Sequence, residues 1–377
     1  MTGADEAGGR PSAVGGLRAP DATPLGDHRD AITEWLRRAL SAPSLEILSE
    51  GKPAMNGSSN ETLIVDTRYV SAGGVTHEDS FVLRRPPQGW QLYQHYDLAR
   101  QYRTMLTLLG TDVPVPQVCG IELDPAVIGE PFYVMLKIDG RPPPDLPPFT
   151  AVGWLLDSTP AEQAELYASS IEMLARVHRL DPGSLGVDFL RTGEAATGFE
   201  EQLLAAERWY RWAADGRPQP ILDATLAWLH EHRPTDPPPE GLNWGDARIG
   251  NMLYDGFRPV GVLDWEMAGI GPGEVDLGWW LFLNRHHSVG MGLAPLPGFP
   301  DDATTVAMYE AALGRPARDT FYYDVFGGFR FGIVVLRAAD GLIRAGRMPA
   351  DSGYGQDNGA TRLLAEMLDR PAPSGGP

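Results

Sequence analysis

The sequence predicts an α+β chain of two lobes: a small antiparallel β-sheet lobe carrying one helix, then a larger, mostly helical lobe. Three observations predict it. Strand-like runs crowd the chain up to Ile138, a Gly and Pro cluster at 139–144 breaks it, and the apolar spacing from Pro160 onward is helical. At 377 residues the chain is long enough for two sizeable cores, and 43% hydrophobic content is ordinary for a globular protein. The expected boundaries are a disordered leader at 1–28, the sheet lobe at 29–138, a hinge at 139–144, the helical lobe at 145–370 and a disordered tail at 371–377.

The elements follow in order. Asp30 to Ala39 has helical spacing, with Ile32, Trp35, Leu36 and Leu40 apolar, and Leu45 to Leu48 reads as a short strand. The small polar loop Met55 to Asn60 separates it from the alternating run Glu61 to Tyr69. A third strand covers Ser80 to Arg85. Asp97 to Leu109 reads as a helix with Leu98, Tyr102, Met105, Leu106 and Leu109 on one face, stopped by Gly110 and by Pro114 and Pro116. Strands at Val115 to Ile121 and Phe132 to Ile138 complete the sheet, and Asp139-Gly140-Arg141 with Pro142 to Pro144 forms a short stiff connector. Beyond it, Thr159 caps a helix reaching Leu180, with Pro160 at its first position. Further helices are predicted at Phe199 to Ala214, Pro220 to His232, Val275 to Arg285, Thr304 to Leu313, Thr320 to Arg347 and Gly359 to Leu368, with a surface loop at Val289 to Pro300.

The segment Leu242 to Glu266, LNWGDARIGNMLYDGFRPVGVLDWE, carries the chemistry. In its D-x-x-x-x-N pattern, Asp246 is placed to face an acceptor hydroxyl, and Asn251 to offer an amide oxygen to a magnesium ion on nucleotide phosphates. Met252 to Tyr254 and Val260 to Leu263 read as two short strands around the turn Asp255-Gly256, which would return Asp264 beside Asn251 as the main magnesium ligand. Magnesium needs only one or two protein oxygens, since phosphates and waters fill the remaining positions. Taken singly, each residue has a plainer explanation: Asp beside Gly forms turns, Asn after Gly sits in loops, and Asp after a strand caps helices. Their joint spacing favours phosphoryl transfer.

Other residues fit around that core. The loop Asn56-Gly57-Ser58-Ser59-Asn60 is placed like a flap over phosphates, although the same residues also make ordinary hairpin turns. Arg84 occupies the position where a strand lysine would grip phosphates. Its fork can do so bidentately, and the alternative is a solvated strand-end charge. Gln101, on the helix after that strand, is expected to hydrogen bond Arg84 without neutralising it, with Asp97 as an alternative partner. Lys137 lies at the connector, where backbone groups would hold the base; it is grouped with the cofactor-binding residues but is not the phosphate cation. Arg248, two residues after Asp246, would stabilise charge in the transition state or be a surface loop residue. His178 is expected to be structural.

Composition excludes other classes. A net charge of -19 argues against nucleic acid and anionic membrane surfaces, and is compatible with a cationic small molecule. Only Lys52 and Lys137 of the 31 basic residues are lysine, so the phosphate grip must fall to arginine. The single cysteine, Cys119, forbids an internal disulfide and suits a reducing compartment, so cytoplasm is the expected location. No apolar run approaches the ~20 residues that span a bilayer.

Read together, these motifs resemble the aminoglycoside phosphotransferase family over about Ile32 to Leu368. The resemblance rests on Asn56 to Asn60, Phe81 to Pro87, Val113 to Pro116, Gly129 to Gly140, Trp244-Gly245-Asp246, Asn251, Asp264-Trp265-Glu266 and Asp276-Leu277-Gly278. It implies a protein-kinase-like fold, ATP (with GTP as the alternative) and Mg2+ as cofactors, and a small hydroxyl acceptor: an aminoglycoside-like antibiotic, a hydroxyacyl-CoA or a biosynthetic intermediate. Asp276 would be a structural acid near the catalytic loop. Three positions depart from the family: Trp244 replaces His, Arg84 replaces Lys and Gln101 replaces Glu. The competing expectation is a catalytically weak, kinase-like protein that binds a nucleotide or ligand.

Overall fold

The computed structural model describes residues 24–53 and 59–373. The strands β1 (Ser44–Gly51), β2 (Glu61–Val70), β3 (Thr76–Arg85), β4 (Val118–Glu122) and β5 (Phe132–Leu136) form one sheet in the order β1-β2-β3-β5-β4, every neighbouring pair antiparallel. Helix α1 (Arg29–Ala39) precedes the sheet and α2 (Leu98–Leu108) joins β3 to β4. Because side chains alternate along a strand, the sheet serves two cores. Leu63, Val65, Phe81, Leu83, Phe132 and Val134 pack with Ile32, Trp35 and Leu36 of α1, whereas Tyr133 and Met135 join Leu98, Met105 and Leu108 of α2 in a core continuous with the helical lobe. At Gly120 a Cβ would lie 2.9 Å from the Trp35 indole, so the missing side chain is what lets α1 seat.

The helical lobe contains α3 (Pro160–Arg179), α4 (Pro182–Leu185), α5 (Gly198–Ala214), α6 (Pro220–Glu231), α7 (Glu274–His286), α8 (Asp302–Leu313), α9 (Thr320–Arg344) and α10 (Gly359–Met367). Capping boxes at Thr159 with Glu162 and at Thr197 with Glu200 start α3 and α5 by satisfying their first amides. Between α6 and α7 lie β6 (Glu240–Asn243), the hairpin β7 (Met252–Asp255) and β8 (Arg258–Val262), and β9 (Gly269–Pro272), which pairs with β6. Backbone bonds tie this region to the sheet lobe: Arg141 and Tyr254 exchange both amides (3.0 and 3.2 Å), and Val262 N–H donates to the Pro114 carbonyl (2.7 Å).

The predicted fold class holds: a small five-stranded antiparallel sheet and a larger helical part. Helix α9 stops at Arg344, short of Arg347, because Gly346 takes a left-handed φ of +67°. The pair β6/β9 and the single turn α4 escaped prediction. Four residues carry no usable period, and β6 finds its partner only across the intervening hairpin. The predicted leader falls largely, and Asn56, Gly57 and Ser58 fall wholly, outside the described residues. No helix of the described residues is long and apolar enough to cross a membrane.

Helices α7 and α9 cross at near backbone contact. A Cβ on Gly278 would meet the Tyr323 carbonyl group at 2.2 Å, and one on Gly327 the Trp279 amide nitrogen at 2.8 Å. This crossing brings Trp279 and Arg330 against the loop between β6 and β7. Gly278→Ala should therefore cost about 1–3 kcal/mol through overpacking, read as a lower urea midpoint than wild type; an unchanged midpoint would mean that the crossing is loose.

Candidate active site

The loop between β6 and β7 is held from below by Asp276. That carboxylate is fully buried and accepts from the amides of Trp244 (2.7 Å) and Gly245 (2.9 Å) and shares a hydrogen bond with His178 Nε2 (2.9 Å). His178 Nδ1 in turn bonds the Tyr309 hydroxyl (2.7 Å), so His178 is structural, as expected. Gly245 has φ +93°, and a Cβ there would strike the Met267 carbonyl oxygen at 2.1 Å. A side chain at 245 would displace the loop. Trp244 is fully buried and its Nε1 donates to the Leu263 carbonyl (2.7 Å), a packing role in place of a histidine.

Asp246 emerges from this loop with both oxygens engaged. Its Oδ1 accepts from Trp279 Nε1 (3.0 Å) and Arg248 Nε (3.1 Å), and its Oδ2 from Asn251 Nδ2 (2.6 Å). Asn251 also donates from Nδ2 to the Asp246 carbonyl (3.1 Å), which leaves its amide oxygen for another partner. The hairpin β7/β8 performs the expected return: Leu263 N–H donates to the Asn251 carbonyl (2.9 Å), setting Asp264 next in line. Asp264 takes a left-handed φ of +58°, unusual for a residue with a side chain. The indoles of Trp244 and Trp265, bonded to the carbonyls of Leu263 and Val262, hold the turn that imposes it.

Both candidate phosphate cations are held against acids, Arg84 buried and Arg248 partly buried. Arg84 Nη1 donates to Asp264 Oδ1, and Arg248 Nη1 to Asp145 Oδ2 while its Nε reaches Asp246. Burial opposes either charge, but Asp264 for Arg84, and Asp145 with Asp246 for Arg248, outweigh it and hold both guanidinium groups above their ordinary pKa. The Arg84 Nε is buried without a partner among the described residues. Register explains the reach of Arg84: it stands opposite Thr62 and Tyr133 in the sheet, with its side chain on the α2 face.

The expected partners of Arg84 are corrected, whereas Lys137 follows β5 at the connector. Gln101 does not hold Arg84; its Oε1 accepts from the Tyr133 hydroxyl (3.3 Å), because α2 turns that face down onto β5. Asp97 is equally unavailable, since its side chain caps α2 by accepting from the Arg100 amide. Lys137 lies outside the cluster, paired at the surface with Asp139 (2.7 Å), because β5 has already ended at Leu136. Of the nucleotide loop, Ser59 and Asn60 are described, and both are buried and turn toward Glu266, with Asn60 Nδ2 donating to it at 2.5 Å.

Glu266, Asp145, Trp279 and Arg330 were not among the expected site residues. Glu266 had a local signal, standing two residues beyond Asp264 in the Asp-Trp-Glu run. The others come from the connector, α7 and α9, and no spacing rule links them to Asp246.

The sequence profile of the phosphotransferase enzyme family matches residues 51–319. The chain belongs to that family. A candidate aminoglycoside phosphotransferase from Ralstonia eutropha has the same fold at 25% identity and TM-score 0.64, covering 90% of this chain and 96% of that one. A thermostable aminoglycoside phosphotransferase, APH(4)-Ia, in complex with ADP and hygromycin B, shares the fold at 16% identity and TM-score 0.53, covering 89% and 98%. Among curated relatives, acyl-CoA dehydrogenase family member 11 of Rattus norvegicus is 28% identical over 258 residues, 66% of this chain and 32% of that protein. The Gallus gallus protein of the same name is 32% identical over 226 residues, 59% and 26%. The chain thus spans a third or less of these relatives' length.

Burial and the neighbouring Asp264 carboxylate push the Glu266 carboxyl from 4.5 up to about 7. A raised folded-state pKa means that stability is fully present below the unfolded value and is lost as pH rises through the folded one. Glu266→Gln abolishes that loss. The variant's urea midpoint should gain on wild type between pH 4.5 and about 7 and run parallel above it; a constant difference across that window would sink this assignment.

Proposed function

We propose that this phosphotransferase moves the γ-phosphate of ATP, with GTP as the alternative donor, onto a hydroxyl of a small molecule with the help of magnesium. The observation that carries the proposal is the convergence of Asp246, Asn251 and Asp264 on one loop and hairpin, with Arg84 and Arg248 beside them. The donor set suits magnesium, which needs one or two hard protein oxygens. Asp264 supplies a carboxylate and Asn251 an uncommitted amide oxygen, and among the described residues no cluster of three or more His, Cys, Asp or Glu is arranged as a cage. The unpartnered Arg84 Nε, buried beside Asp264, suits a phosphate oxygen.

In this mechanism Asp246 accepts a hydrogen bond from the acceptor hydroxyl and takes its proton as the acceptor oxygen bonds to the γ-phosphorus. The bond from that phosphorus to the ADP oxygen breaks, and the proton later passes to solvent. Magnesium, when bound, neutralises and aligns the phosphate oxygens. Arg84 shifts from Asp264 toward the phosphates, and Arg248, already against Asp246, faces the charge on the transferred group. Trp279 and Asn251 fix the Asp246 rotamer, so positioning supplies much of the effect.

The structural neighbour that binds ADP and hygromycin B makes aminoglycoside-like acceptors one class to test. The relatives named for acyl-CoA dehydrogenation make hydroxyacyl-CoA compounds another. A second reading, a weakly catalytic nucleotide-binding protein, draws on the engagement of both arginines by carboxylates. The deciding experiment is ADP or GDP release with magnesium and ATP or GTP across a panel of aminoglycosides, other hydroxylated antibiotics, hydroxyacyl-CoA compounds and biosynthetic alcohols. Acceptor-dependent release should fall by about 100-fold or more in Asp246→Ala, the scale of a lost general base. Calorimetric nucleotide binding without release on any acceptor would favour the second reading, and absence of both would overturn the proposal.

A further inference from the structure

Three arginines are almost entirely withdrawn from solvent among the described residues: Arg84, Arg85 and Arg330, at 7, 5 and 5% exposure. Arg84 is paired with Asp264, and Arg85 with Glu61 and Glu130. Arg330 has no carboxylate at ion-pair distance, and its Nη1 is buried without a hydrogen-bond partner among the described residues. Its Nη2 donates to the Gly245 carbonyl (2.7 Å), and its guanidinium lies over the rings of Trp279 (4.7 Å) and Phe326 (5.5 Å). Cation–π contacts offset only part of the cost of burying an uncompensated charge. The acids that act on it through space, Asp276 and Asp246, have their oxygens occupied by other donors. The protein therefore carries a buried cation that its own residues leave incompletely satisfied.

Its position gives that charge a use. Trp279 touches Asp246 with its Nε1 and Arg330 with its ring, so one indole separates the proposed base from the cation. Tyr93, on the strap between β3 and α2, is near enough to feel the charges of Glu266, Asp246 and Arg330. The strap is anchored to the helical lobe: Trp209 Nε1 donates to the Leu92 carbonyl (3.1 Å), its ring lies tilted against Tyr93 with centroids 5.0 Å apart, and Arg337 donates to the Gln91 carbonyl (2.5 Å).

We propose that Arg330 is the acceptor's anchor, and that the acceptor is a small alcohol bearing an anionic group, a carboxylate or a phosphate ester, a short spacer away from the hydroxyl presented to Asp246. The proposal rests on the phosphotransferase reading and narrows it. It also reverses the expectation of a cationic acceptor drawn from net charge, since a bulk charge of -19 does not describe Arg330, a cation near the base without a carboxylate at ion-pair distance among the described residues.

The test is calorimetry on the full chain saturated with magnesium and ADP, using matched probes: glycerol, glycerate and glycerol 3-phosphate; butane-1,3-diol and 3-hydroxybutyrate; and kanamycin as a cation. An anionic probe should bind at least tenfold more tightly than its neutral counterpart, and whether carboxylate or phosphate wins identifies the group. With each variant saturated in magnesium-ADP, Arg330→Gln should erase that preference and Arg330→Lys should recover part of it; a merely structural arginine would alter the melting temperature and leave the preference intact. Equal binding of neutral and anionic probes, preference for kanamycin, or no anionic binding by protein that does bind magnesium-ADP overturns the anchor alone. Failure to bind magnesium-ADP overturns the phosphotransferase reading with it. Should Arg330→Gln not fold, the wild-type preference among the probes still decides.

Discussion

The fully buried Asp276 carboxylate is the interaction on which the rest of the site depends. A polar group buried that deeply is costly unless hydrogen-bonded, and two backbone amides and an imidazole supply the bonds. In satisfying it they determine the path of the chain through Trp244 and Gly245, and so the point at which Asp246 leaves the loop. Gly245 then has no room for a side chain, and Arg330 closes the other side by donating to its carbonyl. The close crossing of α7 and α9 matters for the same reason, since Asp276 and Trp279 ride on one helix and Arg330 on the other.

Around that anchor the site is a lattice of opposed charges held away from water. Asp264 binds Arg84, Asp145 and Asp246 bind Arg248, and Glu266, lifted toward neutrality, receives Asn60 from the flap. Buried pairs of this kind are weak sources of stability, because desolvation offsets much of the attraction. Their value is orientation. Each carboxylate that a bound metal or phosphate would rearrange is already at hand, and the cation it releases lies next to the incoming charge. Glu266 also links the flap to the Asp264 turn, so the two regions expected to meet the nucleotide are mechanically connected.

The strap between β3 and α2 gives this lattice its far wall. Gln88 to Tyr96 leave the sheet, run against α5 and α9, and place Tyr93 and Trp90 on the helical lobe, where Arg337 lies over the rings of Trp90 (5.5 Å) and Trp212 (4.1 Å). A segment that by chain order belongs to the sheet is thereby packed as part of the helical lobe.

Much of this was legible in the sequence. The period of apolar residues determined the strands and helices, since 2.0 and 3.6 are local properties of the backbone, and the spacing from Asp246 to Asn251 and through the Asp255-Gly256 turn to Asp264 determined that these three would meet. The register of the sheet decided the partner of Arg84: spacing suggests Gln101 or Asp97, and Arg84 pairs instead with Asp264, 180 residues away. β5 ends at Leu136, two residues before the predicted Ile138, and Lys137 follows it at the connector. Asp145, Trp279 and Arg330 carried no signal, for their roles arise from which helices cross and which carbonyls they cover. Local spacing determines what a short segment can bring together, and only tertiary packing decides which charges are desolvated and which of them is left without a partner.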